Sequence, residues 1–447
     1  MDKPNLVYVF GDQWRAQACA YAGDPNVRTP HIDRLAKESL RVTTAVANCP
    51  VCTPSRACLL SGQYPLTTGV FLNDVLLDPE LPTLGKVLKS AGYDTAWIGK
   101  WHLDGPARSG WIPPQRQHGF DHWRALECTH DYNNSLYYAD DDPTPRKWPG
   151  YDAIAQTHEA CRYIRQRAGA RPFALFLSWG PPHDPYHTAP QSYGAMYEPD
   201  ALTLRPNVPP ELEREARADL AGYYAHCTAL DECLGQVMRA LDEAGLADDT
   251  ILVFTSDHGD MLGSQGEGKK QRPWDESILV PMLVRWPAGL GRRGREVDTP
   301  FAIVDTMPTL LSLCEIDVPA AVEGVDHAGH WRGEADAPTD AALIACYHPF
   351  ADWHRGQGGR EYRGVRTQRY TYVRSLDGPW LLYDNERDAY QRRNLVHDAD
   401  AGPVRRRLDT KLDALLAAHG DEFLPAACYL ERFGYGVNDR GAVPYTN

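Results

Sequence analysis

Cys52 stands in the run Cys49-Pro50-Val51-Cys52-Thr53-Pro54-Ser55-Arg56-Ala57-Cys58-Leu59-Leu60-Ser61-Gly62-Gln63, a thiol four residues ahead of a guanidinium. A cysteine in such a place is either a nucleophile or a small buried hydrophobe. Asp12, just past the apolar run Leu6 to Phe10, and Asp257-His258, just past Ile251 to Thr255, offer two carboxylates and an imidazole that could share one cation. A lone Asp after a strand is usually a turn former or cap. Here two clusters repeat the pattern. Arg56, Lys100, His102, His183, Lys269 and Lys270 could give a small anionic substrate a local positive focus in a chain whose formal net charge is −14. That balance disfavours nucleic acid and anionic membranes as partners. Cys49 and Cys52 have the spacing of a zinc pair, but no second pair or His-x-His follows them.

The Cys52-x-Pro54-Ser55-Arg56 core, continued by Ser61-Gly62, resembles the signature of the type I sulfatases of the alkaline phosphatase superfamily. The resemblance implies that a formylglycine-generating maturation enzyme oxidises Cys52 to formylglycine. The hydrated aldehyde, bound to a divalent metal, would attack the sulfate ester, and its second hydroxyl would then expel sulfate. Arg56 would fix the hydrate. Gly99-Lys100-Trp101-His102 resembles the family's Gly-Lys-x-His element, in which Lys100 would contact the sulfate and His102 support the nucleophile's proton chemistry. Pro182-His183-Asp184-Pro185 resembles its Pro-His-x-Pro loop, with His183 contacting sulfate or protonating the leaving oxygen. Lys270, seven residues before Ser277 in the Glu276-Ser277-x-x-Val280-Pro281 element, would bridge the sulfate and the ester oxygen, with Lys269 competing for that register. Asn73 would reach the substrate, as a comparable Asn does in the phosphonate monoester hydrolase and choline sulfatase branch.

The implied metal ligands are Asp12, Gln13, Cys52, Asp257 and His258. Gln13 stands where a second Asp is frequent and His258 where an Asn is frequent, which resembles that same branch. An amide in place of a carboxylate lowers the site's negative charge, and an imidazole makes it less exclusively a calcium cage, so Ca²⁺ is favoured with Mn²⁺ as rival. Thr29 to Ala36, Asp305 to Leu310, and Leu382 to Leu395 echo further family elements, so the resemblance runs from about Asn5 to Leu395. It implies a sulfuric ester hydrolase acting on a small anionic sulfate ester, a sulfated sugar among the candidates. The alternatives are a phosphonate monoester or phosphodiester hydrolase using the same site, and a non-catalytic protein that binds sulfated glycans. His130, Tyr132, Trp148, His348, Trp353, His354 and Arg355 are candidates for a sugar or aryl subsite.

The clusters must be held by a framework, and the apolar patterning supplies one. Leu6 to Phe10, Asp94 to Ile98, Phe173 to Ser178 and Ile251 to Thr255 read as strands. Ile32 to Ser39, Leu84 to Ala91, Tyr151 to Ala168 and Leu212 to Ala244 read as amphipathic helices between them. The alternation predicts a layered α/β fold, a mostly parallel sheet sandwiched by helices. In such sheets ligands gather beyond the carboxyl ends of the strands, which is where the polar clusters fall. After about residue 330, Glu361 to Arg374 and Pro379 to Tyr383 read as strands joined at Asp377-Gly378, and Val404 to His419 as a helix. The expected division is a catalytic domain over 1–330 and an α+β subdomain over 331–447, fitting a 447-residue chain. The opening residues are too short an apolar run for a signal peptide core or a membrane span, so the expectation is a cytoplasmic protein, unless an export signal has been removed. Eleven irregularly spaced cysteines point to reduced thiols rather than a disulfide framework.

Overall fold

The computed structural model describes residues 3–169 and 171–446. Its first strands are β1 (Asn5–Asp12), β2 (Leu40–Val42), β3 (Ala45–Val46), β4 (Asp94–Lys100), β5 (His122–Leu126), β6 (Leu136–Ala139) and β7 (Asp142–Lys147). There follow β8 (Phe173–Pro182), β9 (Thr250–Ser256), β10 (Leu283–Arg285), β11 (Arg295–Val297) and β12 (Phe301–Ala302). The last four are β13 (Ala341–Cys346), β14 (Tyr362–Thr367), β15 (Tyr370–Ser375) and β16 (Gly378–Asp384).

Ten of these form one sheet in the order β11-β2-β10-β9-β1-β8-β4-β5-β6-β7. Its centre, β9-β1-β8-β4-β5, is parallel, and antiparallel pairs flank it on both sides. The central strands are apolar at nearly every position because both faces are covered. In β1, Leu6, Tyr8 and Phe10 enter one hydrophobic cluster while Val7 and Val9 enter the other. The helices Asp152–Gln166 and Glu213–Glu243 bury their apolar stripes in the second cluster. The helices Cys52–Ser61 and Thr306–Leu313 pack into the first. The first cluster also takes in Leu343, Val365 and Leu382 of a four-stranded antiparallel sheet, β13-β14-β15-β16.

The predicted α/β class and the four predicted central strands are present, each strand ending within a few residues of its expected limit. One expectation changes. The stretch 361–374 is not a single strand but a hairpin, β14 and β15, turning at Gln368-Arg369. Alternation continues on both sides of this polar turn, so the sequence reads through it. Arg366 of β14 then makes a buried, two-pronged ion pair with Asp275, 3.0 Å at each contact. This ties the small sheet to the segment before Ser277. No helix among the described residues is long and apolar enough to cross a membrane. The eleven cysteines are free thiols, all buried except Cys428.

Candidate active site

Four strand ends deliver the polar clusters to one place. Asp12 closes β1, Lys100 closes β4, His183 follows β8 and Asp257 follows β9. Gly99 is what lets β4 approach: with φ +104, an added Cβ would lie 2.0 Å from the Ser178 carbonyl oxygen. The helix Cys52–Ser61 begins with the cysteine itself, so Cys52 Sγ sits 3.5 Å from Asp12 Oδ1 and 3.3 Å from His258 Nε2. Asp12, Cys52, Asp257 and His258 are all buried and place one donor atom each within 4.8 Å of one another. Two carboxylates, an imidazole and a softer fourth position form a donor set that fits a divalent cation.

Arg56 lies behind these carboxylates rather than in the cavity. It donates to Asp257 Oδ2 at 3.0 Å, Asp12 Oδ2 at 3.1 Å, the Lys100 carbonyl at 3.0 Å and Ser178 Oγ at 2.8 Å, and it is fully buried. These contacts occupy its fork, so the structure gives it the work of holding Asp12 and Asp257. Gln13 contributes its backbone N–H to Asp257 Oδ1 at 3.0 Å. Its side chain, from a backbone at φ +70, accepts from Lys270 Nζ at 2.7 Å and donates to Asp260 Oδ2 at 2.6 Å.

A cavity of about 300 Å³ opens above this cluster, lined by Cys52, Asn73, Lys100, His102, His183 and Lys270 among others. Lys100 Nζ is 2.5 Å from Asp12 Oδ2. Lys270 Nζ touches His183 Nε2 as well as Gln13. Lys269 instead pairs with Asp184 at 2.9 Å and lies over the Tyr186 ring, outside this cavity. Of the two lysines, Lys270 lines this cavity and Lys269 does not. Asn73 Oδ1 accepts the Thr53 N–H at 3.0 Å, fastening the start of the Cys52 helix while Asn73 lines the cavity. His183 is oriented by Asp184 and stacks on His130, ring centroids 4.6 Å apart.

The charges support one another. Burial and the Cys52 sulfur oppose ionisation of Asp12, yet Lys100, His183 and Arg56 hold its carboxyl well below the usual range. Asp257 moves the other way, pushed up first by burial and then by the charge of Asp12. Burial would raise the Cys52 thiol, but Lys100, Lys270 and His258 draw it well below its ordinary value. Burial also opposes a charge on His102. Cys128 and hydrogen bonds to Asp74 and Cys52 outweigh that, and its pKa is pushed up to about 10.

The model of the family described as Sulfatase matches residues 4–316. The chain belongs to the sulfatase family. It is a sulfuric ester hydrolase with an alkaline phosphatase-like fold. A second model, N-sulphoglucosamine sulphohydrolase, C-terminal, matches residues 263–418 of this sulfatase. The ulvan-active sulfatase of Formosa agariphila is 44% identical, over 99% of this chain and 87% of that protein. A Bacteroides thetaiotaomicron structure described with the metabolism of multiple glycosaminoglycans superposes with a TM-score of 0.86 at 28% identity, covering 99% of this chain and 100% of that one. The phosphonate monoester hydrolase of Agrobacterium radiobacter superposes at 0.76 and 26% identity, over 93% and 96% of the two chains.

The sequence-derived subsite is largely redrawn. Of its seven residues only His130 lines the cavity. Trp353 is 1% exposed beneath Arg272, Trp148 stacks on Tyr137, and the Tyr132 hydroxyl is spent on the carbonyls of His183 and Asp184. His348 bonds the Gly441 carbonyl, His354 caps a short turn, and Arg355 pairs with Glu361. Aromatic content alone did not separate packing from binding. Sequence reasoning missed Asp74, which bonds His102 at 3.3 Å, and Arg108, which grips Asp74 through two contacts of 2.7 Å. Asp74 directly follows Asn73 in the sequence. Arg108 carried no motif.

Proposed function

We propose that this sulfatase hydrolyses a sulfate monoester of a carbohydrate, using formylglycine generated from Cys52 by a maturation enzyme and one divalent metal held by Asp12, Gln13, Asp257, His258 and residue 52. The observation that carries the reading is the convergence of Cys52 on Asp12, Asp257 and His258 within 4.8 Å, beneath the cationic side chains of Lys100 and Lys270. Hydrated formylglycine on the metal would supply an acidified hydroxyl to attack sulfur and a second one to release the sulfate afterwards. Ca²⁺ is the metal we favour, on the two carboxylates and an amide oxygen, and Mn²⁺ is the rival that the imidazole admits.

The chain's own residues divide the remaining work. Lys100 and Lys270, buried and charged, balance the sulfate oxygens as negative charge shifts toward the leaving oxygen. His183, fixed through Nδ1 with Nε2 beside Lys270, is placed to give the departing alkoxide a proton. His102, tethered by Asp74 at 3.3 Å, lines the same cavity and, with its pKa pushed up to about 10, is held as a further cation beside residue 52. Arg56 keeps both acidic ligands aimed inward. The carbohydrate class rests on the 44% identity to the ulvan-active sulfatase.

Hydrolysis of phosphonate monoesters is a second reading, favoured by the likeness to the Agrobacterium radiobacter enzyme and by His258 in the donor set. Steady-state kinetics of the matured protein on paired aryl sulfate and aryl phosphonate monoesters, followed by sulfated saccharides, tests the proposal. A higher kcat/KM on the sulfate and turnover of a saccharide sulfate are expected. Preference for the phosphonate would overturn the assignment.

A further inference from the structure

The outer wall of the cavity is built by a segment that no family motif reaches. Asn438, Arg440, Ala442 and Tyr445 all line it, together with Lys100 and His183. Exposure rises from Cys52 at 1% and Lys270 at 7% to Tyr445 at 47%, so the segment stands at the mouth and the reacting groups at the floor.

The segment is anchored in place along its length. The Arg440 carbonyl accepts from Ala351 N–H at 2.9 Å, and the Gly441 carbonyl lies 2.7 Å from His348 Nε2. Thr446 exchanges backbone hydrogen bonds with Pro106 and Arg108, at 2.8 and 3.0 Å. Gly441 permits the approach: at φ +70, an added Cβ would lie 2.8 Å from His348 Nε2. The Tyr445 ring is held by the Arg108 guanidinium, 3.4 Å from its centroid, and Arg108 is itself clamped by Asp74, the partner of His102. One face of the ring is covered by a cation and almost half of the residue's surface stays open.

We propose that this segment is the sugar-side wall of the active site, with Tyr445, backed by Arg108, as the stacking platform for the pyranose ring that carries the scissile sulfate. The inference rests on the carbohydrate reading above. A pyranose has one face of C–H groups and a rim of hydroxyls. An open aromatic face complements the first, and Arg440, Asn438 and Asp352 around it complement the second. Arg440 and Asp352 also put charge into this lining, which suits a hydroxyl-rich ring better than an extended aliphatic chain.

The test compares the matured wild-type enzyme with Tyr445→Ala, Tyr445→Leu and Tyr445→Phe. The substrates are 4-nitrophenyl sulfate, a panel of hexose and N-acetylhexosamine monosulfates, and sulfated oligosaccharides from ulvan. For the saccharide turned over best, Tyr445→Ala and Tyr445→Leu are expected to raise KM roughly tenfold with a smaller change in kcat. Tyr445→Phe should stay near wild type. The ratio of saccharide to 4-nitrophenyl sulfate kcat/KM should fall at least about fivefold in the first two variants. Equal losses on both substrates, or no change on the saccharide, would overturn the platform and leave the carbohydrate reading standing. Wild-type turnover of 4-nitrophenyl sulfate with no saccharide accepted would overturn both.

Discussion

Arg56 Nε donates to Asp257 Oδ2 at 3.0 Å in a site where neither side chain meets solvent. The same guanidinium holds Asp12, so one cation fixes two carboxylates of the candidate metal site. Removing one partner of a buried pair leaves the other's charge uncompensated, at a cost of about 3–5 kcal/mol. Arg56→Ala is therefore expected to lower stability by that order in denaturant titrations and to reduce bound metal after dialysis. Arg56→Lys should rescue only part of it, because an ammonium cannot reproduce the fork. Unchanged stability and metal content in Arg56→Ala would remove this role.

Lys270 and Lys269 are adjacent in sequence but belong to different environments, one inside the cavity and one outside it. Lys270→Ala should lower kcat by about 10²–10³, the scale on which preorganised charge stabilisation acts. Lys269→Ala should cost far less, since its partners are Asp184 and the Tyr186 ring. Steady-state kinetics on one sulfate ester compares them, and equal losses would contradict the placement of Lys270.

Trp353 looked from sequence like part of a substrate subsite, and its burial makes it a packing residue. Trp353→Ala is expected to destabilise the fold by about 3–5 kcal/mol, as large-to-small core changes do. Thermal unfolding checks this. A raised KM at unchanged stability would return Trp353 to the binding site.

Much of the arrangement was legible because polar residues directly follow strands, and that position alone assigns Asp12, Lys100, His183 and Asp257 to the carboxyl ends of the sheet's central strands. What was not legible depended on contacts distant in sequence. Arg108 meets Tyr445, and Arg366 meets Asp275, across separations that no local pattern marks. The hairpin at Gln368-Arg369 was missed because its turn carries no Gly, Asn or Pro to break the alternation. His130 was picked for its residue type alongside Trp148, and only three-dimensional packing separates the cavity-lining ring from the one stacked on Tyr137.

Asp152 starts the helix Asp152–Gln166 with Oδ1 buried and unpartnered among the described residues. Burial, only partly offset by Ser135 and the Ala153 N–H, pushes its pKa from 3.8 up to about 7. The folded state thus holds this proton where the unfolded chain has released it. The associated stability is present below about pH 4 and is lost as pH climbs toward 7. Asp152→Asn carries no such charge, so its melting temperature relative to wild type should rise between mildly acidic and mildly alkaline buffer. A constant difference across that range would contradict the shift.

The central claim is that residue 52 acts as formylglycine. Peptide mass spectrometry of the fragment spanning Cys52, taken from a preparation whose sulfate-ester turnover has been measured, tests it most directly. The account predicts a mass loss matching conversion of cysteine to formylglycine, in a fraction that scales with activity across preparations and is absent from an inactive Cys52→Ala variant. Full turnover from protein whose Cys52 is an unmodified thiol would contradict it.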